Sequence, residues 1–315
     1  VYNERENLDG FYSRLADVLA GLPAYDAEVV CVDDGSQDGS YEILQSLHRR
    51  DPRVKVLRLS RNFGSWNAIV AGLDAASGDA VMWISSDLQD PPELIPALLR
   101  KWESGAHVVW GVRSERHDPW PRRALAVAFY KLLRRIALPD YPPLGMDICL
   151  LDRRVAALLR GLREHNRFTQ GLIMQLGFTQ TRVSYVREPR RRGESKWGNL
   201  PRLSKIGMDM VAGFSSFPFR FMMYAGGLAI MLSLVLAAVL VMPRLIAGAP
   251  ASPALVILGI LFLGGANAVM LGVLGEYVWR ILDEVRQRPL YVLQEQVGFT
   301  SDGADAGTRQ TARRE

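Results

Sequence analysis

The chain has 315 residues, 49% of them hydrophobic and 23% charged, with a formal net charge of +5. That length holds one large or two small domains, and two cysteines, Cys31 and Cys149, exclude a disulfide framework. The positive balance suits an anionic membrane face, a phosphorylated substrate or nucleic acid. Charge is dense up to about Arg220 and nearly absent from Phe221 to Gly275.

The first residues, Val1-Tyr2-Asn3-Glu4-Arg5, carry no secretory signal, and a few residues of a first strand are expected to precede them. Leu8, Phe11, Leu15, Val18 and Leu19 recur at helical spacing within 4–21. A buried strand over 28–32 ends in Asp33-Asp34-Gly35-Ser36-Gln37-Asp38-Gly39-Ser40. Two leading carboxylates with glycines and hydroxyls suit a tight turn that approaches a nucleotide. A turn plus a cap for the helix 41–50 accounts equally for Ser36, Asp38 or Ser40, but not for Asp33 directly after the apolar run. A third strand, 54–59, leads through Ser60-Arg61-Asn62-Phe63-Gly64 into a helix over 66–76.

The strand 79–84 runs into Ser85-Ser86-Asp87-Leu88-Gln89-Asp90-Pro91-Pro92-Glu93, where the prolines stop any ladder and a helix opens through Trp102. Carboxylates and an amide at the end of a buried strand are placed to hold a hard cation against phosphates. The plainer alternative is an Asp that caps the next helix. Strands alternating with helices, with polar clusters only at strand ends, predict a mostly parallel sheet in an α/β fold, with ligands at the carboxyl ends. Neither a dinucleotide GxGxxG nor a P-loop follows the first strand.

Farther on, a strand over 106–111 precedes Arg113 and Arg116, whose guanidinium planes suit phosphate oxygens; Arg116 suits a surface turn equally well. Residues 122–138 form a basic-apolar helix candidate, and Gly145-Met146-Asp147 opens a further block. Arg187-Glu188-Pro189-Arg190-Arg191-Arg192-Gly193-Glu194-Ser195-Lys196 packs four arginines and a lysine into ten positions, next to an amphipathic stretch over 199–220. Two uncharged segments, 221–242 and 254–275, follow. At ~1.5 Å per residue each is about 33 Å long, enough to span a bilayer. The loop between them holds one cation, Arg244, whereas both outer flanks are basic. That bias expects residues 1–198 and the tail 276–315 in the cytoplasm. The last stretch, 300–315, is polar and expected to be disordered.

Tyr2-Asn3-Glu4, Val32-Asp33-Asp34-Gly35-Ser36, Arg61-Asn62-Phe63-Gly64 and Asp87-Leu88-Gln89-Asp90-Pro91-Pro92-Glu93 occur in the order found in family-2 glycosyltransferases of GT-A fold. The chain resembles most the polyprenyl-phosphate branch of that family, and the resemblance covers nearly all of it. It implies a GT-A (Rossmann-like) domain over 1–198 and a two-helix transmembrane hairpin in the inner membrane. Implied donor contacts are Tyr2, Glu4, Asp33, Asp34, Ser86, Asp87, Gln89 and Arg113. Asp87 and Gln89 would hold Mg²⁺ or Mn²⁺, and Asp87 and Asp147 would be the catalytic carboxylates. Arg116, Arg190, Arg192, Ser195 and Lys196 would neutralise the diphosphate and the lipid phosphate. The expected reaction is inverting transfer from a UDP- or GDP-sugar to polyprenyl phosphate. A bilayer is the expected partner surface, a homo-oligomer a further expectation, and nucleic acid is not expected. Many relatives carry Asp-x-Asp where this chain has Ser85-Ser86-Asp87, one carboxylate fewer for a cation. Two other readings stand beside this one, a membrane polysaccharide synthase and a decayed nucleotide-sugar-binding protein. The first lacks a Gln-x-x-Arg-Trp motif and has too few spans for a channel.

Overall fold

A computed structural model describes residues 1–114, 127, 128, 130, 131, 133–135, 138–142, 145–162, 168–188, 217–236, 239, 246 and 253–299. Arg116, the basic residues Arg190, Arg192, Ser195 and Lys196, and the amphipathic stretch up to 216 lie outside the described residues. The chain divides into two compact units, Val1–Ile206 with Pro289–Glu315, and Gly207–Arg288.

In the first unit, α1 (Leu8–Ala20) buries Leu8, Phe11 and Leu15, the apolar stripe its spacing announces. Strand β1 (Val29–Asp33) pairs parallel with β2 (Val54–Leu59), linked by α2 (Ser40–Arg50). Helix α3 (Ser65–Ala75) leads to β3 (Ala80–Trp83), and a 3-10 turn at Pro92–Leu94 opens α4 (Ile95–Glu103). Then come β4 (Val108–Arg113), β5 (Met146–Asp152), α5 (Arg153–Gly161), α6 (Thr169–Gln175) and β6 (Gln180–Tyr185). One sheet has the order β3-β5-β4-β6; the other is β1, β2 and a strand β7 (Leu293–Val297) from the end of the chain.

The expectation of a mostly parallel sheet is corrected. Only β1–β2 and β4–β6 pair in parallel, whereas β2–β7, β3–β5 and β4–β5 are antiparallel. In the four-stranded sheet strand β5 is the cause: it inserts between β3 and β4 in the opposite sense, and its apolar run, with Ile148 and Leu151 fully buried, reads the same in either direction. The tail also contributes more than expected, since residues 293–297 lie in the sheet. Each sheet carries its own buried cluster. Leu98, Val109, Ile148 and Leu150 pack against the four-stranded sheet, and Leu44, Leu47, Val54 and Val56 against the sheet of β1, β2 and β7. Each such side chain contributes about 1.5–3 kcal/mol by leaving water.

The second unit holds α7 (Phe217–Leu236), of 20 residues, and α8 (Pro253–Val285), of 33, ten residues beyond the expected end of the second span. Both expose large apolar side chains, among them Phe221, Leu228, Ile260 and Val269. Several side chains of both helices fall outside the described set, and among the described residues no helix is long and apolar enough to cross a membrane.

Candidate active site

The turn after β1 is built before any ligand arrives. Ser36 Oγ accepts from Asn3 N, Ser40 Oγ from Glu4 N and Asp38 Oδ2 from Arg5 N, so the turn grips the first residues of the chain. Asp38 Oδ1 also accepts from Ser40 N, the first N–H of α2, at 3.0 Å, so Asp38 serves both the turn and the start of the helix. Gly35 sits at φ +71°, and a Cβ there would come within 2.5 Å of the Arg61 carbonyl carbon. Only glycine lets the loop 61–64 approach so closely.

Asp34 is buried and fastens that loop: Phe63 N–H donates to Oδ1 at 2.7 Å and Gly64 N–H to Oδ2 at 3.0 Å. Burial raises its pKa, and the two backbone donors work against that rise. Asp33 is fully buried; Oδ1 accepts from Ser36 N at 3.2 Å, and Oδ2 has no hydrogen-bond partner. Glu4 is also buried, its Oε2 accepting from Asn7 Nδ2 at 2.7 Å, while Tyr2 is half-buried. In this state the carboxylates of Asp34 and Glu4 hold protein donors.

The second cluster forms where β3, β4 and β6 end and β5 begins. Because β5 runs against its neighbours, its first residues lie beside the last residues of β3 and β4. A parallel β5 would have put Asp147 at the opposite edge. The register steps from Gly111–Ile148 to Val112–Met146, leaving Asp147 as the extra residue of a bulge. Bulges re-aim side chains beside sites. Arg113 Nε donates to Asp147 Oδ2 at 2.5 Å, Tyr185 Oη lies 3.5 Å from the same oxygen and Arg187 Nη1 3.9 Å. Trp83 Nε1 donates to the Asp147 carbonyl at 2.9 Å. Burial works against the Arg113 cation, but Asp147 outweighs it and holds the guanidinium pKa above its ordinary value.

Asp90 completes the cluster. It is 2% exposed, accepts from Tyr185 Oη at 2.7 Å, and stands 3.5 Å from Arg187 Nε. Burial, and then the nearby Asp147 charge, push its carboxyl up to about 6, against the pull of Arg187 and the Tyr185 hydrogen bond. Burial and the Asp90 charge in turn raise the Tyr185 phenol.

Asp87 is half-buried and accepts from Gln89 N at 3.1 Å; Ser86 is buried beside it. Helix α4 begins without a side-chain cap, so Asp87 is not a helix cap. Between Asp87 and Gln89, Leu88 adopts φ +61°, a left-handed conformation costly for leucine, and is buried against Phe11, Leu15 and Ile95. That anchor fixes the turn carrying Asp87 and Gln89. Among the described residues no group of three His, Cys, Asp or Glu could close around a metal ion. The donor chemistry instead fits a hard cation held by Asp87 and the Gln89 amide, with phosphate oxygens and water completing the shell.

Thus the structure brings Asp87, Gln89, Arg113 and Asp147 to one end of a sheet, and Asp33 and Asp34 to the corresponding end of β1. Sequence reasoning missed Asp90, Tyr185 and Arg187. Asp90 lay inside the motif, and Arg187 headed the basic run, but Tyr185 carried no signal of its own.

Residues 1–157 match the family Glycosyl transferase family 2. An uncharacterised glycosyltransferase of Synechocystis is 38% identical over 302 residues, 95% of this chain and 94% of that one. The bactoprenol glucosyl transferase of Shigella phage SfII is 38% identical over 298 residues, 94% of this chain and 96% of that one. A prophage bactoprenol glucosyl transferase homolog of Escherichia coli K12 is 36% identical over 297 residues, 93% and 96% of the two chains. Among solved structures, the mannosyltransferase PcManGT of Pyrobaculum calidifontis is 18% identical with a TM-score of 0.47, covering 92% of this chain and 82% of that one. That likeness is too low to bear on the chemistry. With relatives of this identity along nearly its whole length, the chain belongs to glycosyl transferase family 2, in the polyprenyl-phosphate glycosyltransferase branch, and is a glycosyltransferase.

Proposed function

We propose that the chain moves a sugar from a nucleoside-diphosphate sugar to polyprenyl phosphate, with inversion, at the cytoplasmic face of a membrane. The observation that carries this reading is the convergence of Arg113, Asp147 and Arg187 where β4 and β6 end and β5 begins, around Asp90, whose carboxyl also feels the Asp87 charge. Such a mixed set receives two phosphate-bearing substrates: cations take up charge on the leaving diphosphate, and carboxylates orient the cations. An oxygen of the lipid phosphate attacks the anomeric carbon as the bond to the diphosphate breaks, and the nucleoside diphosphate leaves with the electron pair. The acceptor is a phosphate monoester, already ionised at neutral pH, so no strong base is required. Asp147, paired with Arg113, then serves to orient the arginine and the acceptor. Catalysis comes mainly from positioning and charge stabilisation. Mg²⁺ or Mn²⁺ at Asp87 and Gln89, when bound, would neutralise diphosphate charge.

The acceptor is supported by the names of the relatives, bactoprenol glucosyl transferases at 36–38% identity. Membrane attachment is supported by the uncharged runs of residues 221–242 and 254–275 and the basic flanks around them. Arg190, Arg192, Ser195, Lys196 and Arg116 are assigned to phosphate neutralisation on the same reading.

The test is a panel of labelled UDP- and GDP-sugars offered to the purified chain in detergent, with undecaprenyl phosphate and Mg²⁺ or Mn²⁺. Label from one donor is expected in the organic phase. Hydrolysis or polymerisation of a donor without lipid labelling would contradict the proposal.

A further inference from the structure

The sheet behind Asp33 holds a row of side chains with no part in the reaction described above. Strand register sets Asp33 of β1 beside Arg58 of β2, and Arg58 beside Glu295 of β7. Arg58 Nε stands 3.7 Å from Asp33 Oδ2, beyond hydrogen-bonding distance, and neither buried atom has a hydrogen-bond partner. The Arg58 guanidinium carbon lies 4.3 Å from the centre of the Tyr41 ring, and the Tyr41 hydroxyl donates to Glu295 Oε2 at 2.6 Å. The register of β7 steps from Glu295 to Leu293, so Gln294 is the extra residue of a bulge next to Glu295.

We propose that Glu295 is a positioning residue of the donor site: through Tyr41 and Arg58, the tail strand holds the Asp33 carboxylate where the nucleoside end of a nucleoside-diphosphate sugar is received. The inference rests on the reading of Asp33 as a donor contact. A buried carboxylate oxygen facing a cation across 3.7 Å is placed by charge rather than by a directed bond, so its position follows the guanidinium. The guanidinium in turn sits on a ring whose hydroxyl donates to Glu295, with Gln45 as a second neighbour. Other contacts keep the strand in place without Glu295. Ser60 N–H donates to the Val292 carbonyl at 2.9 Å, and Tyr291 Oη to Asp74 at 2.9 Å. Loss of the Glu295 charge therefore loosens the clamp and leaves the strand docked.

The experiment uses the full chain in detergent. UDP and GDP are titrated calorimetrically into wild type, and the tighter diphosphate is carried to Glu295→Gln, Tyr41→Phe, their double variant and Asp33→Asn. Tyr41→Phe is expected to weaken diphosphate binding about threefold, as for loss of one hydrogen bond, and Glu295→Gln about twofold, since its amide leaves a neutral acceptor in place of a charged one. The double variant should be no weaker than the worse single, because both changes act on the same contact. The donor KM should rise in step while kcat and the KM for undecaprenyl phosphate hold, a split that general loosening of the fold would not give. Unchanged diphosphate affinity in Glu295→Gln and Tyr41→Phe, with Asp33→Asn weakened, would overturn the inference alone. Wild-type affinity in Asp33→Asn would overturn the reading beneath it.

Discussion

Asp87, Asp90 and Asp147 are chemically alike and are set apart by their surroundings. Asp87 is half-buried with one backbone donor, which leaves capacity for a cation or phosphate-bound water. Asp87→Ala should lower turnover at least about a hundredfold, the scale for losing charge stabilisation at the reacting group. Retained turnover in the lipid-labelling assay would remove Asp87 from the metal site. Asp90 is enclosed, and burial and the Asp147 charge push its carboxyl up to about 6. An unfolded Asp titrates near ~4, so the folded state binds this proton more tightly. The stability it contributes is complete below about pH 4 and is lost as pH rises to about 6. Asp90→Asn removes that loss. Its stability relative to wild type should improve by about 1–3 kcal/mol between pH 4 and pH 7, read from unfolding midpoints at the two values. A pH-independent difference would contradict the burial account. Asp90 was legible only as part of a motif, because its enclosure depends on Tyr185 and Arg187, some ninety residues away.

At the level of elements, apolar runs announced every strand from β1 to β4 within two residues; helical spacing announced α1, and the turn and proline signals before them announced α2 to α4. Direction was not legible. A run such as Ile148-Cys149-Leu150-Leu151 fits a ladder either way, and its sense is set by the two neighbours it pairs with. The tail strand was missed for a different reason: Leu293-Gln294-Glu295-Gln296-Val297 is an exposed edge, too polar to stand out, held by its register on β2. The turn after β1 was legible as a tight approach, and its glycine gives a sharp test. Gly35→Ala puts a side chain at φ +71° against the 61–62 backbone, so it should cost about 1–3 kcal/mol and raise the donor KM by displacing the loop that Asp34 fastens. Wild-type melting and donor KM in that variant would show that the loop gives way freely.

For the molecule as a whole, the proposal joins a phosphate-handling sheet to apolar helices that keep a lipid acceptor at hand. Full-length protein in native vesicles is expected to stay in the pellet after alkaline carbonate washing; release into the wash would contradict membrane insertion. The central claim is that sugar transfer requires the lipid phosphate, and stoichiometry tests it most directly. Nucleoside diphosphate release should be measured with and without undecaprenyl phosphate, alongside label in the organic phase. The account predicts that release depends on the lipid and matches labelled lipid one for one. Equal release without the lipid, or label in a water-soluble polymer, would contradict it.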